Sequence, residues 1–289
     1  VTSRWILNLL LLGAVAALAL VAYYQPGQEG KPAPVTLTAL QPDQVRRIHI
    51  ERRLRPPLEL QRTAQGWVIE RQPPLPADDF QIKSLTRLAS QEAVRSYAAA
   101  ELDAAALQLD PPASSVTLDD IRLDFGTLEP LDGLRYVKVG ERILLIPDLY
   151  QHLIDADYTR FVRRRLFAPA QRIEAIELPG LAVRKNDGGW SVKDHEDVSS
   201  DEVQRFVERW QDAAALTVRP MEEKPRGDRI QVRLGAPQRT VTFIVTRREP
   251  ELVLARPDLG IQYQLGNQAD SLLQLPPPPA TDTGDQAPL

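Results

Sequence analysis

Residue types that carry chemistry are few in this chain. The 289 residues include no Cys, 3 His and 1 Met, which excludes disulfides, thiolate metal sites and cysteine nucleophiles together. The densest positive patch is Arg160, Arg163, Arg164 and Arg165. Guanidinium groups so grouped could hold an anionic lipid headgroup, a phosphorylated glycan or an acidic partner. The plainer reading is a solvated connector that pairs with Asp155, Asp157 and Glu174. Trp67 and Trp190 each follow a glycine, and matched aromatics could stack a sugar or another flat ligand. The favoured reading is two core plugs, because a Trp covers much apolar area and duplicated units place packing residues at matched positions.

The remaining candidates are weaker. Asp194-His195-Glu196-Asp197 with Asp201 and Glu202 is oxygen-rich, as calcium loops are, but it has no loop Gly, and Asp201 and Glu202 suit the first turn of a helix. His152 has Asp155 at i+3 without a nucleophile beside the pair. His49 lies opposite Ile48 and Ile50 on an alternating segment, which puts it on an outer face. No phosphate-cradling glycine loop, G-x-S-x-G or H-E-x-x-H occurs in the sequence. The reading is of no catalytic residue, no metal and no cofactor. A carboxylate-based glycan hydrolase would need two acids about 5–10 Å apart in a cleft.

The elements that would position these residues follow from composition and pattern. Hydrophobic residues make up 43% and charged residues 26% of the chain, an ordinary globular balance. Lys and Arg total 35 against 39 Asp and Glu, for a net charge of -4, which argues against nucleic acid as the partner. Trp5 to Tyr24 is an uncharged, almost wholly apolar run, close to the about 20 residues that span a membrane as a helix. Residues 1–24 are therefore expected to be a transmembrane anchor through residues 5–24, with Arg4 holding the amino terminus in the cytoplasm; a cleaved signal peptide is the alternative. Residues 25–34 read as a linker and residues 276–289 as a disordered Pro-rich tail.

Between them one unit is used twice. Gly66-Trp67 recurs as Gly189-Trp190, with alternating Leu58 and Leu60 before the first and Leu181 and Val183 before the second. A helix follows each: Ser199-x-x-Glu202 is a capping box and Asp78-x-x-Gln81 its looser counterpart. From these caps Val203, Phe206, Val207 and Trp210 form an i, i+3, i+4, i+7 stripe, which Ile82, Leu85, Thr86 and Ala89 repeat. Four short strands and a short helix close each copy. The expected fold class is α+β: a transmembrane helix, then tandem βββ-α-ββββ-α units with mostly antiparallel sheets at residues 35–160 and 161–275.

Several segments carry a family resemblance: the opening W-x-L-N-x-L-L, the G-W with its Pro-rich loop and Ala77-Asp78, Leu109-Asp110-Pro111-Pro112, and Phe125-Gly126 with Arg135-Tyr136-Val137. On these the chain resembles the bacterial domain-of-unknown-function family 4340, from about Val35 to Leu275. The resemblance implies a membrane-anchored envelope protein, in some relatives encoded beside an auxiliary subunit of a gliding-motility-type ABC transporter. It implies no catalytic residues. The expected function is that of a non-enzymatic accessory or scaffold protein at the bacterial inner membrane, single-pass with a periplasmic main domain. Its partner would be another protein, such as a transporter or envelope-assembly complex. The alternative is a periplasmic glycan- or peptide-binding protein that uses the cleft between the repeats.

Overall fold

Ile48 and Ile50 are fully buried between the exposed Arg47 and Glu51 and the half-buried His49. The same alternation recurs along most of the chain and makes it extended. The computed structural model describes residues 2–24, 35–187, 189–193, 198–236 and 238–275. The expected linker 25–34, the expected tail 276–289 and the carboxylates of Asp194–Asp197 lie outside the described residues.

After helix α1 (Thr2–Tyr24), the first unit runs through β1 (Arg47–Arg52), β2 (Arg55–Thr63), β3 (Gly66–Ile69), β4 (Leu75–Pro76), α2 (Asp79–Thr86), β5 (Arg95–Ala98), β6 (Ser114–Leu118), β7 (Ile121–Leu128), β8 (Leu134–Val139), β9 (Arg142–Pro147) and α3 (Gln151–Ile154). The second runs through β10 (Ile173–Leu178), β11 (Leu181–Asn186), β12 (Gly189–Val192), α4 (Ser200–Asp212), β13 (Thr217–Pro220), β14 (Asp228–Leu234), β15 (Arg239–Arg247), β16 (Val253–Arg256), β17 (Ile261–Gln264) and α5 (Ala269–Leu273). The strands form two antiparallel sheets, ordered β4-β3-β2-β1-β6-β7-β8-β9-β5 and β12-β11-β10-β14-β15-β16-β17-β13. Apart from β4, the second order repeats the first strand for strand.

This architecture corrects the expected class. The protein is mostly antiparallel β-sheet with few helices, not a transmembrane helix followed by α+β units. Beyond α1 the longest helix is α4, at 13 residues. The sequence pattern also missed the edge strands β5 and β13, because each has only four residues, with no buried residue in β5 and only Val218 buried in β13, so neither carries an apolar alternation.

The membrane anchor is corrected as well. Among the described residues no helix is long and apolar enough to cross a membrane. This overturns the expected transmembrane anchor at residues 1–24 and the single-pass inner-membrane placement.

Helices α2 and α4 start where side chains satisfy their first N–H groups. Asp78 accepts from Phe80 N at 3.0 Å and Gln81 N at 3.2 Å. Ser199 accepts from Glu202 N at 3.3 Å, while the Glu202 carboxylate takes Ser199 N at 3.1 Å. The buried face of α4 is Val203, Phe206, Val207 and Trp210, and that of α2 includes Ile82, Leu85 and Thr86. Buried apolar residues from both sheets and both helices belong to one contiguous core.

The connector between the units is part of the fold. Phe161 O accepts from Asp78 N at 2.7 Å, and Arg163 N donates to Pro76 O at 2.9 Å, which ties it to the first unit. Immediately afterwards Ala215 N donates to Arg164 O at 2.9 Å and Leu166 N to Ala213 O at 3.0 Å, which ties it to the second. Val35 and Leu37 make the matching bonds with Ala93 and Gln91, at 2.7 and 2.9 Å. Leu37 and Leu166 are both buried in these equivalent places.

Candidate functional site

In each unit the chain must pass from an edge strand back across the sheet, because β5 precedes β6 and β13 precedes β14 at opposite ends of a five-strand stretch. The two straps begin and end at equivalent points but differ in length: residues 99–113 in the first unit and 221–227 in the second. Each ends against the same strand. Ala113 N donates to Phe125 O at 3.2 Å, whereas Gly227, at φ +147, lies so close to β15 that a Cβ would sit 1.9 Å from Val245 O.

The longer strap fills its sheet face. Asp103 caps a turn through Ala105 N and Ala106 N at 3.0 and 3.2 Å, and the turn delivers Leu107 and Leu109 to a bulge in β7. There Thr127 N donates to Leu107 O at 2.9 Å. A Cβ on Gly126 would meet Leu107 O at 2.3 Å and Leu109 at 2.9 Å, so only glycine allows this approach. Leu109, Ile143 and Leu145 are buried here, apart from the main core.

The shorter strap leaves a groove. β15 carries the equivalent bulge between Val245 and Arg247. Thr246, which lies at this bulge, is exposed, with its hydroxyl 3.3 Å from Val253 O. Around it opens a cavity of 550 Å³ between the strap residues Met221–Arg226 and Thr246, Ala255 and Gln262. A second of 470 Å³ shares Glu222, Thr246 and Gln262 and extends to Arg219, Arg247, Val253 and Gln264, so the two form one groove. Both volumes lie within the about 300–1,000 Å³ of ligand clefts.

Sheet register positions the floor. Ile244, Ala255, Gln262 and Arg219 are cross-strand neighbours in one row, and Val253, Gln264 and Thr217 in the next. Ile244, Val253 and Ala255 are buried apart from the main core, so the floor is apolar beneath a polar rim. Gln264 Oε1 accepts from Thr217 Oγ1 at 2.5 Å and Arg219 Nε at 3.1 Å, which leaves its amide N–H groups to the groove. Arg247 pairs with Glu251. Among the described residues Lys224 and Arg226 have no ion pair. Behind the floor, Arg256 locks the β16–β17 turn by two bonds to Asp258, at 2.8 and 2.7 Å, and lies 5.3 Å from the Phe243 ring. Burial pushes the Asp258 carboxyl up, but hydrogen bonding and charge from Arg256 outweigh it and hold the group below its ordinary value.

Sequence reasoning singled out other positions. Trp67 is 8% exposed within the core, whereas Trp190 is half-buried on the edge strand β12, packed against the core. Of the four connector arginines, Arg160 and Arg165 are exposed and Arg163 and Arg164 half-buried. Arg165 pairs with Asp212 at 3.1 Å. Of the acids named from sequence, Asp155 accepts from Gln151 Nε2 and Asp157 caps Thr159 N at 3.0 Å. None of the four arginines lines the cavities described above, and main-chain pairing joins the chain beside them to Pro76–Asp78 and to Ala213–Ala215. The grooved face was missed, because Gln262, Gln264 and Thr246 look like ordinary outward strand positions. The available signal was the difference in length between the two straps.

His49 does lie on the outer face, 3.3 Å from Glu51 and 3.4 Å from Glu59. Glu51 also meets Arg122 at 3.0 Å. Hydrogen bonds from Arg122 and His49 lower the Glu51 pKa.

No curated protein and no solved structure matches the chain. A family model does match, over residues 67–227, from β3 of the first unit to the end of the second strap. The chain belongs to the family described as Domain of unknown function (DUF4340).

Proposed function

We propose that the protein acts by binding another polypeptide, as an accessory or scaffold component with no chemistry of its own. The observation that carries this reading is the groove between residues 221–226 and the outer face of β15–β17. Its rim mixes Arg219, Lys224 and Arg226 with Glu222 and Glu223, and its floor offers the amides of Gln262 and Gln264. Residues two apart on a strand recur every ~6.6–6.8 Å, which matches the repeat of an extended main chain. The Gln262 amide can both donate to and accept from peptide groups, and that of Gln264, whose oxygen is engaged by Thr217 and Arg219, can donate. Among the described residues no aromatic side chain lines this groove, and a sugar platform would want one. A component of a transporter or assembly complex is the partner class in keeping with the family resemblance.

The test is site-specific photo-crosslinking in cells, with benzoylphenylalanine in place of Gln262 and, as control, in place of Arg184 on the exposed end of β11. A discrete protein adduct at position 262 and none at 184 is expected. Failure to crosslink at 262, or the same adducts at both positions, would overturn the reading.

A further inference from the structure

We infer that the groove of the second unit recognises a carboxylate on its polypeptide partner, held between the side-chain amide of Gln264 and the guanidinium of Arg219. This rests on the polypeptide-binding reading and deepens it by naming the anchor. Arg219 Nε can only donate, so the Gln264 atom 3.1 Å from it must be the amide oxygen, and Thr217 Oγ1 donates to the same oxygen at 2.5 Å. With both lone pairs engaged, the amide turns only N–H groups to the groove. Among the described residues neither that amide nitrogen nor the terminal nitrogens of Arg219 have a hydrogen-bond partner, and both side chains line the same cavity. Two donor groups thus stand side by side without an acceptor. A carboxylate has two oxygens to offer them, and hydrogen bonds between charged partners are roughly twice as strong as those to a neutral carbonyl.

The first unit shows that the sheet itself does not require these groups. Val94 N donates to Leu145 O as Leu216 N does to Gln264 O, both at 2.8 Å, which fixes the equivalence of the two edge pairs. By that register Tyr97, Ile143 and Leu145 are the counterparts of Arg219, Gln262 and Gln264. Ile143 and Leu145 are buried aliphatic side chains. The second unit has amides in their places and a guanidinium in place of the phenol. Charge agrees in sign: Arg219, Lys224 and Arg226 line the groove against Glu222 and Glu223, while Arg247 is committed to Glu251. The two acids belong to the strap, whereas Gln264 and Arg219 stand on the sheet. Gln262, two residues from Gln264 on β17, is left to meet the main chain beside the anchor. An Asp or Glu side chain and the free carboxyl terminus of a chain both supply the required group.

The probe is a random peptide library selected against the full chain in two formats, one with a free carboxyl terminus and one with that end fused to its carrier. Asp or Glu recurring at one position in the fused format assigns the anchor to a side chain; binders from the free-ended format alone assign it to the terminus. For the tightest selected peptide, changing the anchor carboxylate to its amide should weaken binding at least about 10-fold by fluorescence anisotropy. Arg219→Ala and Gln264→Leu, which installs the first unit's residue type, should each do the same. The amide peptide should lose little more on Arg219→Ala, because the two changes remove one interaction. Lys185→Glu on β11 should leave binding unchanged. No binder in either format, binders without a recurrent carboxylate, or an amide peptide as tight as its parent would overturn the inference. If that happens while position 262 still crosslinks one protein, only this inference falls. If position 262 crosslinks nothing, the polypeptide-binding reading falls with it.

Discussion

Replacing Trp210 tests the packing account most directly. Its side chain is fully buried, its ring centroid is 5.9 Å from that of Phe243, and its Nε1–H donates to Leu272 O at 2.8 Å, which ties α4 to α5. Trp210→Ala removes the transfer energy of a large side chain and leaves a cavity, about 3–5 kcal/mol. It also strips a buried carbonyl of its donor, about 1–3 kcal/mol more. The expected loss is about 4–8 kcal/mol against a total stability of about 5–15 kcal/mol. At about 2–4 °C per kcal/mol for a chain near this size, the melting temperature should fall by about 8–32 °C. Trp210→Phe keeps most of the apolar area and loses the hydrogen bond, so about 1–3 kcal/mol is expected. If the Ala variant does not accumulate, the Phe variant still supplies a value. Urea unfolding and calorimetry of both against the parent decide it. Two variants melting within about 2 °C of the parent would refute the burial argument. A Phe variant as unstable as the Ala variant would show that the hydrogen bond, not the packing, dominates.

Trp67→Ala, in the core, should cost about 3–5 kcal/mol, and Trp190→Ala, half-exposed on an edge strand, should cost clearly less; thermal unfolding that reverses the order would contradict their burial. Gly126→Ala should lose about 1–3 kcal/mol through overpacking against Leu107 and Leu109, and hydrogen exchange should show faster opening of residues 103–109; unchanged exchange would mean that the strap does not rest on the bulge. Because the Asp258 pKa is lower in the folded chain than in the unfolded one, its stabilisation is present above about pH 4 and is lost as pH falls through the folded value. Asp258→Asn should therefore flatten the fall in stability on acidification, and parallel pH profiles for parent and variant would exclude this linkage. Arg165→Ala should change stability by no more than about 1 kcal/mol, since its pair with Asp212 is exposed.

Burial on one face leaves a local trace, and what depended on that trace was legible in the sequence. The alternation of Ile48 and Ile50, the capping box at Ser199 and the stripe through Trp210 each depend on residues within a few positions of one another, where strand and helix periods impose themselves. Family membership was legible for the same reason, from turn and packing residues such as Phe125-Gly126. The tertiary structure decided the rest. β5 and β13 exist because longer strands offer them an edge, and nothing in four residues of partly exposed chain announces a partner far along the sequence. The connector arginines read as a patch, yet main-chain bonds to Pro76–Asp78 on one side and Ala213–Ala215 on the other set where each one points. The groove arises from two straps of unequal length laid across equivalent sheets. Gln262, Thr246 and Arg219 become neighbours only through the register of β13, β15, β16 and β17. Hydrogen-bond register between distant segments has no period in the sequence, so the fold alone assembles that surface.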